Sequence, residues 1–140
     1  EKNGPPPEIN LFNEKNNGEI ILKLIEKKFI RAAHDVSLGG IITALSKMCI
    51  KGKKGAILKK PNYLINKFEY LFGEDQGRYI IEIDKNNLQK VIKILLENAV
   101  HFDELGTIAN DDLIIDDKSK VSIDDLIKSH TTWLTNYMSK

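Results

Sequence analysis

Two consecutive glycines, Gly39 and Gly40, constrain this 140-residue chain more than any other feature. Before them runs a short apolar segment, Phe29 to Ala33, which reads as a strand. After them Ile41, Ile42, Leu45, Met48 and Cys49 recur at helical spacing to about Ile50. The expected local order is therefore a strand, a loop over His34-Asp35-Val36-Ser37-Leu38-Gly39-Gly40, and a helix with the glycine pair at its N-terminus. Without Cβ atoms, such a junction can turn sharply and bring backbone N–H groups close to whatever lies opposite.

The same two periodicities organise the rest of the chain. Pro5-Pro6-Pro7 cannot donate ladder hydrogen bonds and favours an extended arm, so residues 1–13 are expected to form a linker and residues 14–140 one domain. A helix is predicted from about Glu14 to Lys28, with Ile20, Ile21, Leu24 and Ile25 on its buried face. Gly55 to Leu58 reads as a strand, and Pro61 can open a short helix through Tyr70. A second glycine-bearing loop, Leu71 to Gly77, precedes a strand over Arg78 to Ile83 that is rich in β-branched and aromatic residues. Asn86 or Asn87 is expected to cap a helix carrying Leu88, Val91, Ile92, Leu95 and Ala99. Two short strands follow, near Phe102 to Ile108 and Leu113 to Ile115. Ser122 and Asp125 stand at capping-box spacing before a last helix whose stripe is Ile123, Leu126, Ile127, His130, Leu134 and Tyr137. Strands and helices intermix without strict alternation, which points to an α+β fold, a mixed sheet packed with helices, rather than a doubly wound one.

Charge excludes several function classes. The formal net charge is +1, so no global field draws in nucleic acid or a membrane surface. The local lysines (Lys51, Lys53, Lys54, Lys59, Lys60) and aspartates (Asp111, Asp112, Asp116, Asp117) read as solvated loops. No apolar run approaches the ~20 residues that span a bilayer. The single cysteine, Cys49, rules out an intrachain disulfide and suits a reducing cytoplasm; on its stripe it reads as core. No apolar signal segment opens the chain, and it does not begin with methionine, as expected either of a processed chain or of a piece of a longer one. His101 and His130 read as structural, and Trp133 as an anchor for the last helix, in its own core or against a neighbouring domain.

Two loops could carry chemistry. In the first, the helix N-terminus behind Gly39 and Gly40 favours an anion such as phosphate. Asp35 is a hard oxygen donor suited to Mg²⁺, and His34 is an acid, base or hydrogen-bond donor. The competing reading is a tight strand-to-helix turn with Asp35 capping the helix. The second is Phe72-Gly73-Glu74-Asp75-Gln76-Gly77-Arg78. There Glu74 and Gln76 suit ribose or amide groups, and Arg78 can clamp a phosphate or pair with Glu74. The competing reading is an exposed turn with an internal Arg–carboxylate pair.

Taken together and in order, Ala33-His34-Asp35-Val36-Ser37-x-Gly39-Gly40 and Phe72-Gly73-Glu74-Asp75-Gln76-Gly77-Arg78 resemble the last domain of phosphoribosylformylglycinamidine synthases, relatives of aminoimidazole ribonucleotide synthetase. Gly4-Pro5-Pro6-Pro7 with Leu11, Leu105-Gly106-Thr107-Ile108 and the tail His130-x-x-Trp133-Leu134-x-x-Tyr137-Met138 extend the resemblance over nearly the whole chain. It implies conversion of formylglycinamide ribonucleotide, with ATP and glutamine-derived ammonia, to the amidine, ADP and phosphate, with ATP activating the amide oxygen. It further implies ATP or ADP and Mg²⁺ as ligands, the preceding domains of the parent chain, a glutaminase subunit or domain, and a small accessory subunit as partners.

In this family the enzyme has two homologous halves, and this chain resembles the second, whose site holds a structural nucleotide in some members. The resemblance thus implies a nucleotide- or substrate-like pocket at His34, Asp35, Gly39, Gly40, Glu74, Asp75, Gln76 and Arg78, with Asp35 toward Mg²⁺ and no catalytic residue. One departure stands out: the family usually reads Ser-Asp-Gly-Gly, and here Leu38 replaces the aspartate. Taken alone, the chain is expected to be inactive and to expose apolar surface through which it can self-associate. The rival expectations are the C-terminal half of a related enzyme, such as aminoimidazole ribonucleotide synthetase, selenophosphate synthetase or a hydrogenase-maturation protein, and a non-catalytic binding module.

Overall fold

A computed structural model describes residues 8–61, 66–116 and 118–139. The triple proline, Asp117 and the segment after Pro61 lie outside these. The elements in order are α1 (Leu11–Glu26), β1 (Ile30–Asp35), α2 (Gly40–Gly52), β2 (Gly55–Leu58), α3 (Lys67–Phe72), β3 (Tyr79–Ile83), α4 (Lys85–Glu97), β4 (Gly106–Ala109), β5 (Asp112–Asp116), β6 (Ser119–Ser122) and α5 (Ile123–Met138). The fold is α+β, with the strands in two sheets among the described residues. The chain divides into two compact units, one of residues 1–44 and 66–102, the other of residues 45–65 and 103–140.

In the first unit β1 and β3 form an antiparallel pair, with His34 opposite Ile80 and Asp35 opposite Tyr79. Ile20 and Leu24 of α1 meet Val91 and Leu95 of α4, each pair one helical turn apart, and Ile30, Ile81 and Ile83 of the strands pack against them. Leu24 and Val91 are wholly buried. The α1 helix begins at Leu11, three residues before the expected start, because the Asn10 side chain accepts from the Asn13 N–H at 3.0 Å. Residues 11–13, expected in the arm, are therefore helical. The cap of α4 is Asp84 rather than Asn86 or Asn87, and its carboxylate makes no cap hydrogen bond. It pairs instead with the Arg31 Nε at 2.7 Å, and this hydrogen bond with its charge attraction raises the Arg31 pKa above its ordinary value.

In the second unit the sheet order is β4-β2-β5-β6, with β2 and β5 parallel and the outer pairs antiparallel. Leu113 at its centre is almost fully buried. The strand β6 has no counterpart in the sequence reading; Val121 is the one apolar residue among Ser119 to Ser122, too little for the apolar alternation that reveals a strand. The α5 start is as expected: the Ser122 hydroxyl oxygen accepts from the Asp125 N–H at 3.1 Å and donates to the Asp125 carboxylate at 2.7 Å. The far end of α5 is not. His130 is exposed rather than packed in a core, as are Trp133, Leu134 and Tyr137. His101, expected to begin a strand, lies outside any strand and is exposed. Cys49 on α2 is buried, which pushes its thiol pKa upward.

Candidate functional site

The two glycine loops sit side by side because their flanking strands pair. Antiparallel β1 and β3 bring the chain leaving Asp35 next to the chain entering Tyr79, and the ladder continues one step as the Val36 N–H donates to the Arg78 carbonyl at 2.8 Å. His34 and Asp35, expected in the loop, are the last two residues of β1. Period-2 alternation is too short over Phe29 to Ala33 to show that the strand runs on through two polar residues.

Past Val36 the chain turns over Ser37 and Leu38 into the glycine pair, with the Gly40 N–H bonded to the Ser37 carbonyl at 2.9 Å. Both glycines adopt left-handed backbone, φ +83° at Gly39 and +67° at Gly40. Gly40 is also pressed against the end of α3: a Cβ there would stand 2.7 Å from the carbonyl oxygens of Leu71 and Gly73. The two loops are joined directly, as the Gly39 N–H donates to the Glu74 Oε1 at 2.7 Å. A carboxylate thus lies at the N-terminus of α2, where the helix dipole favours negative charge.

Within the second loop Arg78 turns inward. Its Nη2 donates to the Gly73 carbonyl at 2.5 Å and lies 3.1 Å from the Asp75 carboxylate, and its Nε reaches the Asp75 carbonyl at 3.3 Å. The arginine pairs with Asp75, not Glu74, and braces the loop as the internal Arg–carboxylate reading expects. Gln76 is exposed at the turn that ends in Gly77. The Asn17 side chain of α1 donates to the Gly77 carbonyl at 3.0 Å and holds the loop from its other side. Sequence reasoning passed over Asn17. Its signal was a polar residue one turn before Ile20 on the stripe that buries Ile20 and Leu24.

At the end of β1 the His34 Nδ1 lies 2.6 Å from the Asp35 carbonyl and 3.3 Å from its carboxylate. A carbonyl oxygen only accepts, so Nδ1 carries a proton in this contact, and neutral His34 has Nε2 as its acceptor. The Asp35 side chain is 64 % exposed. Among the described residues no three His, Cys, Asp or Glu side chains gather as metal ligands. Glu74 accepts from the Gly39 N–H, and Leu38 has no side-chain oxygen to add to the Asp35 carboxylate. Mg²⁺ keeps its waters and takes one or two carboxylates together with phosphates, so these residues alone do not build a resident metal centre.

The site therefore gathers Gly39, Gly40 and Glu74 directly, with His34, Asp35, Asp75 and Arg78 on the segments beside them. Leu38 is 80 % exposed at the turn. These contacts brace the two loops against each other.

Comparisons with known proteins agree on one family. Residues 1–118 match the family described as AIR synthase related protein, C-terminal domain. The chain is 83 % identical over 138 residues to the phosphoribosylformylglycinamidine synthase subunit PurL of Pelagibacter ubique, covering 99 % of this chain and 19 % of that protein. It is 40 % identical over 135 residues to PurL of Bartonella bacilliformis, covering 96 % of this chain and 18 % of that one. The chain thus spans about a fifth of the length of these curated relatives. Among solved structures, phosphoribosylformylglycinamidine synthase II from Thermotoga maritima superimposes with a TM-score of 0.72 at 20 % identity, over 86 % of this chain and 22 % of that one. The structure of PurLQS from the same organism gives 0.71 at 21 %, over 85 % and 22 %. At this identity the structural likeness speaks for the fold.

Proposed function

The chain belongs to the AIR synthase related protein C-terminal domain family, and from that premise we propose that it is the C-terminal domain of a phosphoribosylformylglycinamidine synthase. The observation that carries this reading is the 83 % identity to the Pelagibacter PurL along 99 % of the chain. The proposed reaction of the whole protein is a carbon–nitrogen ligation in purine synthesis. Formylglycinamide ribonucleotide, ATP and glutamine-derived ammonia give the amidine, ADP, phosphate and glutamate. Matches to Thermotoga maritima PurL complexed with ATP and with ADP support nucleotide as a ligand of the whole protein. The match to PurLQS of Thermotoga maritima supports assembly with other subunits, and the proposed partners are a glutaminase subunit or domain and a small accessory subunit. The proposed setting is the cytoplasm; among the described residues no helix is long and apolar enough to cross a membrane.

Within that protein, the two-loop region serves as a nucleotide- or substrate-like pocket that does not turn over. Its own groups support a bracing role. Glu74 occupies the Gly39 N–H, Arg78 is committed to its own loop, and Leu38 stands where the family usually has an aspartate. Asp35 is the residue placed to meet a magnesium ion arriving with nucleotide phosphates, and His34 lies beside it to donate or accept a hydrogen bond.

The test is an assay of the full-length protein for ADP release that depends on formylglycinamide ribonucleotide, with Mg-ATP and free ammonia. Substrate-dependent release is expected, and the 140-residue chain alone is expected to give none. Absence of release from the folded full-length protein would overturn the reading. Full-length Glu74→Gln is expected to keep most of its turnover, and loss of turnover with the fold intact would make this pocket catalytic.

A further inference from the structure

The two longest stretches without Asp, Glu, Lys or Arg are residues 36–46 and 129–139, eleven residues each. The first supplies core residues: Val36, Ile41, Ala44 and Leu45 are buried. The second is the distal half of α5, and it lies on the surface. Trp133 is 60 % exposed, Leu134 54 %, Tyr137 69 % and Met138 75 %. In a chain that is 29 % charged, a solvated helix face carries charges, and three turns without one do not suit a surface left in water.

Three hydroxyls of this half point to the same conclusion. The Thr131 hydroxyl donates to the Ile127 carbonyl at 2.8 Å, Thr132 to the Lys128 carbonyl at 2.8 Å, and Ser139 to the Thr135 carbonyl at 2.7 Å. Hydroxyls satisfied within their own helix lose little when water is removed. Trp133 with Tyr137 and Leu134 with Met138 are pairs one turn apart, and together they make a broad apolar face. The start of the helix is already anchored, with Ile123 buried and Leu126 and Ile127 half-buried.

We propose that the distal half of α5 docks in an apolar groove of another domain of the same polypeptide, with Trp133 and Tyr137 as its anchors. The inference rests on reading the chain as one domain of a longer synthase; the relatives it matches are about five times its length. An encounter between separate proteins draws on a polar, charged rim for steering and specificity, and this helix half has no Asp, Glu, Lys or Arg on any side. A covalently linked groove needs no such rim, because linkage supplies the effective concentration.

Hydroxyl-radical footprinting of the full-length protein tests this on the unaltered sequence. Labelling of Trp133, Tyr137 and Met138 is expected to be roughly tenfold slower than in the urea-unfolded protein. That protection should persist when the protein is diluted to a monomer by light scattering, with no other subunit present. Labelling near the unfolded rate would overturn the proposal. So would protection lost on dilution, which assigns the face to a second copy, or gained only with added glutaminase or accessory subunit. The ADP-release assay on the same sample separates the two ideas: missing turnover with protection intact sinks the proposed reaction and leaves the docking standing.

Discussion

The backbone N–H of Gly39 and the carboxylate of Glu74 meet at 2.7 Å, and this bond ties the strand-to-helix loop to the loop before β3. Thirty-five positions separate the two residues, so the contact ties together two segments of the first unit that are distant in sequence. The bond is charge-assisted but exposed, which limits its worth to about 1 kcal/mol. Glu74→Ala is expected to lower stability by about that amount in urea unfolding. Glu74→Gln keeps a carbonyl acceptor and should lose under half as much. Equal losses in both variants would mean that the carboxylate charge, not the hydrogen bond, matters at α2.

Gly40 is held by sterics as well as by torsion. Gly40→Ala must adopt φ near +67° and fit a Cβ 2.7 Å from two backbone carbonyl oxygens that no rotamer change can move. Left-handed strain of ~1–2 kcal/mol and overpacking of ~1–3 kcal/mol add to a cost of several kcal/mol. Gly52 is the control, since a Cβ there meets nothing within 4 Å. Gly52→Ala should be neutral or stabilising by up to about 1 kcal/mol. Denaturation midpoints of the two variants, moving in opposite directions or one moving alone, check the contrast.

The sequence was legible where one face is buried and one element is long. The apolar stripe of α2, the buried Ile20 and Leu24 of α1 and Val91 and Leu95 of α4, the strand at Gly55 to Leu58 and the Ser122 cap appear where periodicity and capping chemistry put them, whereas Ile25 and Leu88 of the expected stripes are exposed and Ala99 lies past the end of α4. It was opaque where a partner distant in sequence decides. Asp84 stands at the cap of α4 with its carboxylate turned to Arg31 instead of the helix, and β6 forms because Leu113 and Ile114 offer ladder partners to Val121 and Lys120. Both site loops were visible as glycine clusters, but what the glycines meet was not. Gly40 approaches a protein backbone, and Arg78 serves its own loop. The α5 stripe was legible as a stripe, with Trp133 expected in its own core or against a neighbouring domain, and pattern does not say which body covers a face.

Three helices end alike, each on a non-glycine residue with left-handed backbone: Lys28 after α1, Lys53 after α2 and Ala99 after α4. In each case the next N–H reaches back five residues, Phe29 to the Leu24 carbonyl, Lys54 to Cys49 and Val100 to Leu95. Glycine removes the left-handed strain of ~1–2 kcal/mol and gives back part of the gain as chain entropy. Ala99→Gly is therefore expected to raise stability by a few tenths to about 1 kcal/mol. A lower melting temperature for that variant would mean that the Ala99 methyl group contributes packing that outweighs its strain.

Cys49 carries a stability term with a definite sign in pH. Burial lifts its thiol pKa above the ordinary 9.0, so between the unfolded and folded values the native chain holds a proton that the unfolded chain has released. The stabilisation from the protonated thiol is complete below the unfolded pKa and is lost as pH climbs through the folded one. Cys49→Ala removes the group at a packing cost of about 1 kcal/mol at neutral pH. The gap between wild type and variant should then narrow as pH rises past the ordinary thiol value of 9.0, as the wild type alone loses this term. Urea unfolding of both chains across that rise reads it directly. A gap that stays constant would mean that the Cys49 thiol releases its proton as readily in the folded chain as in the unfolded one.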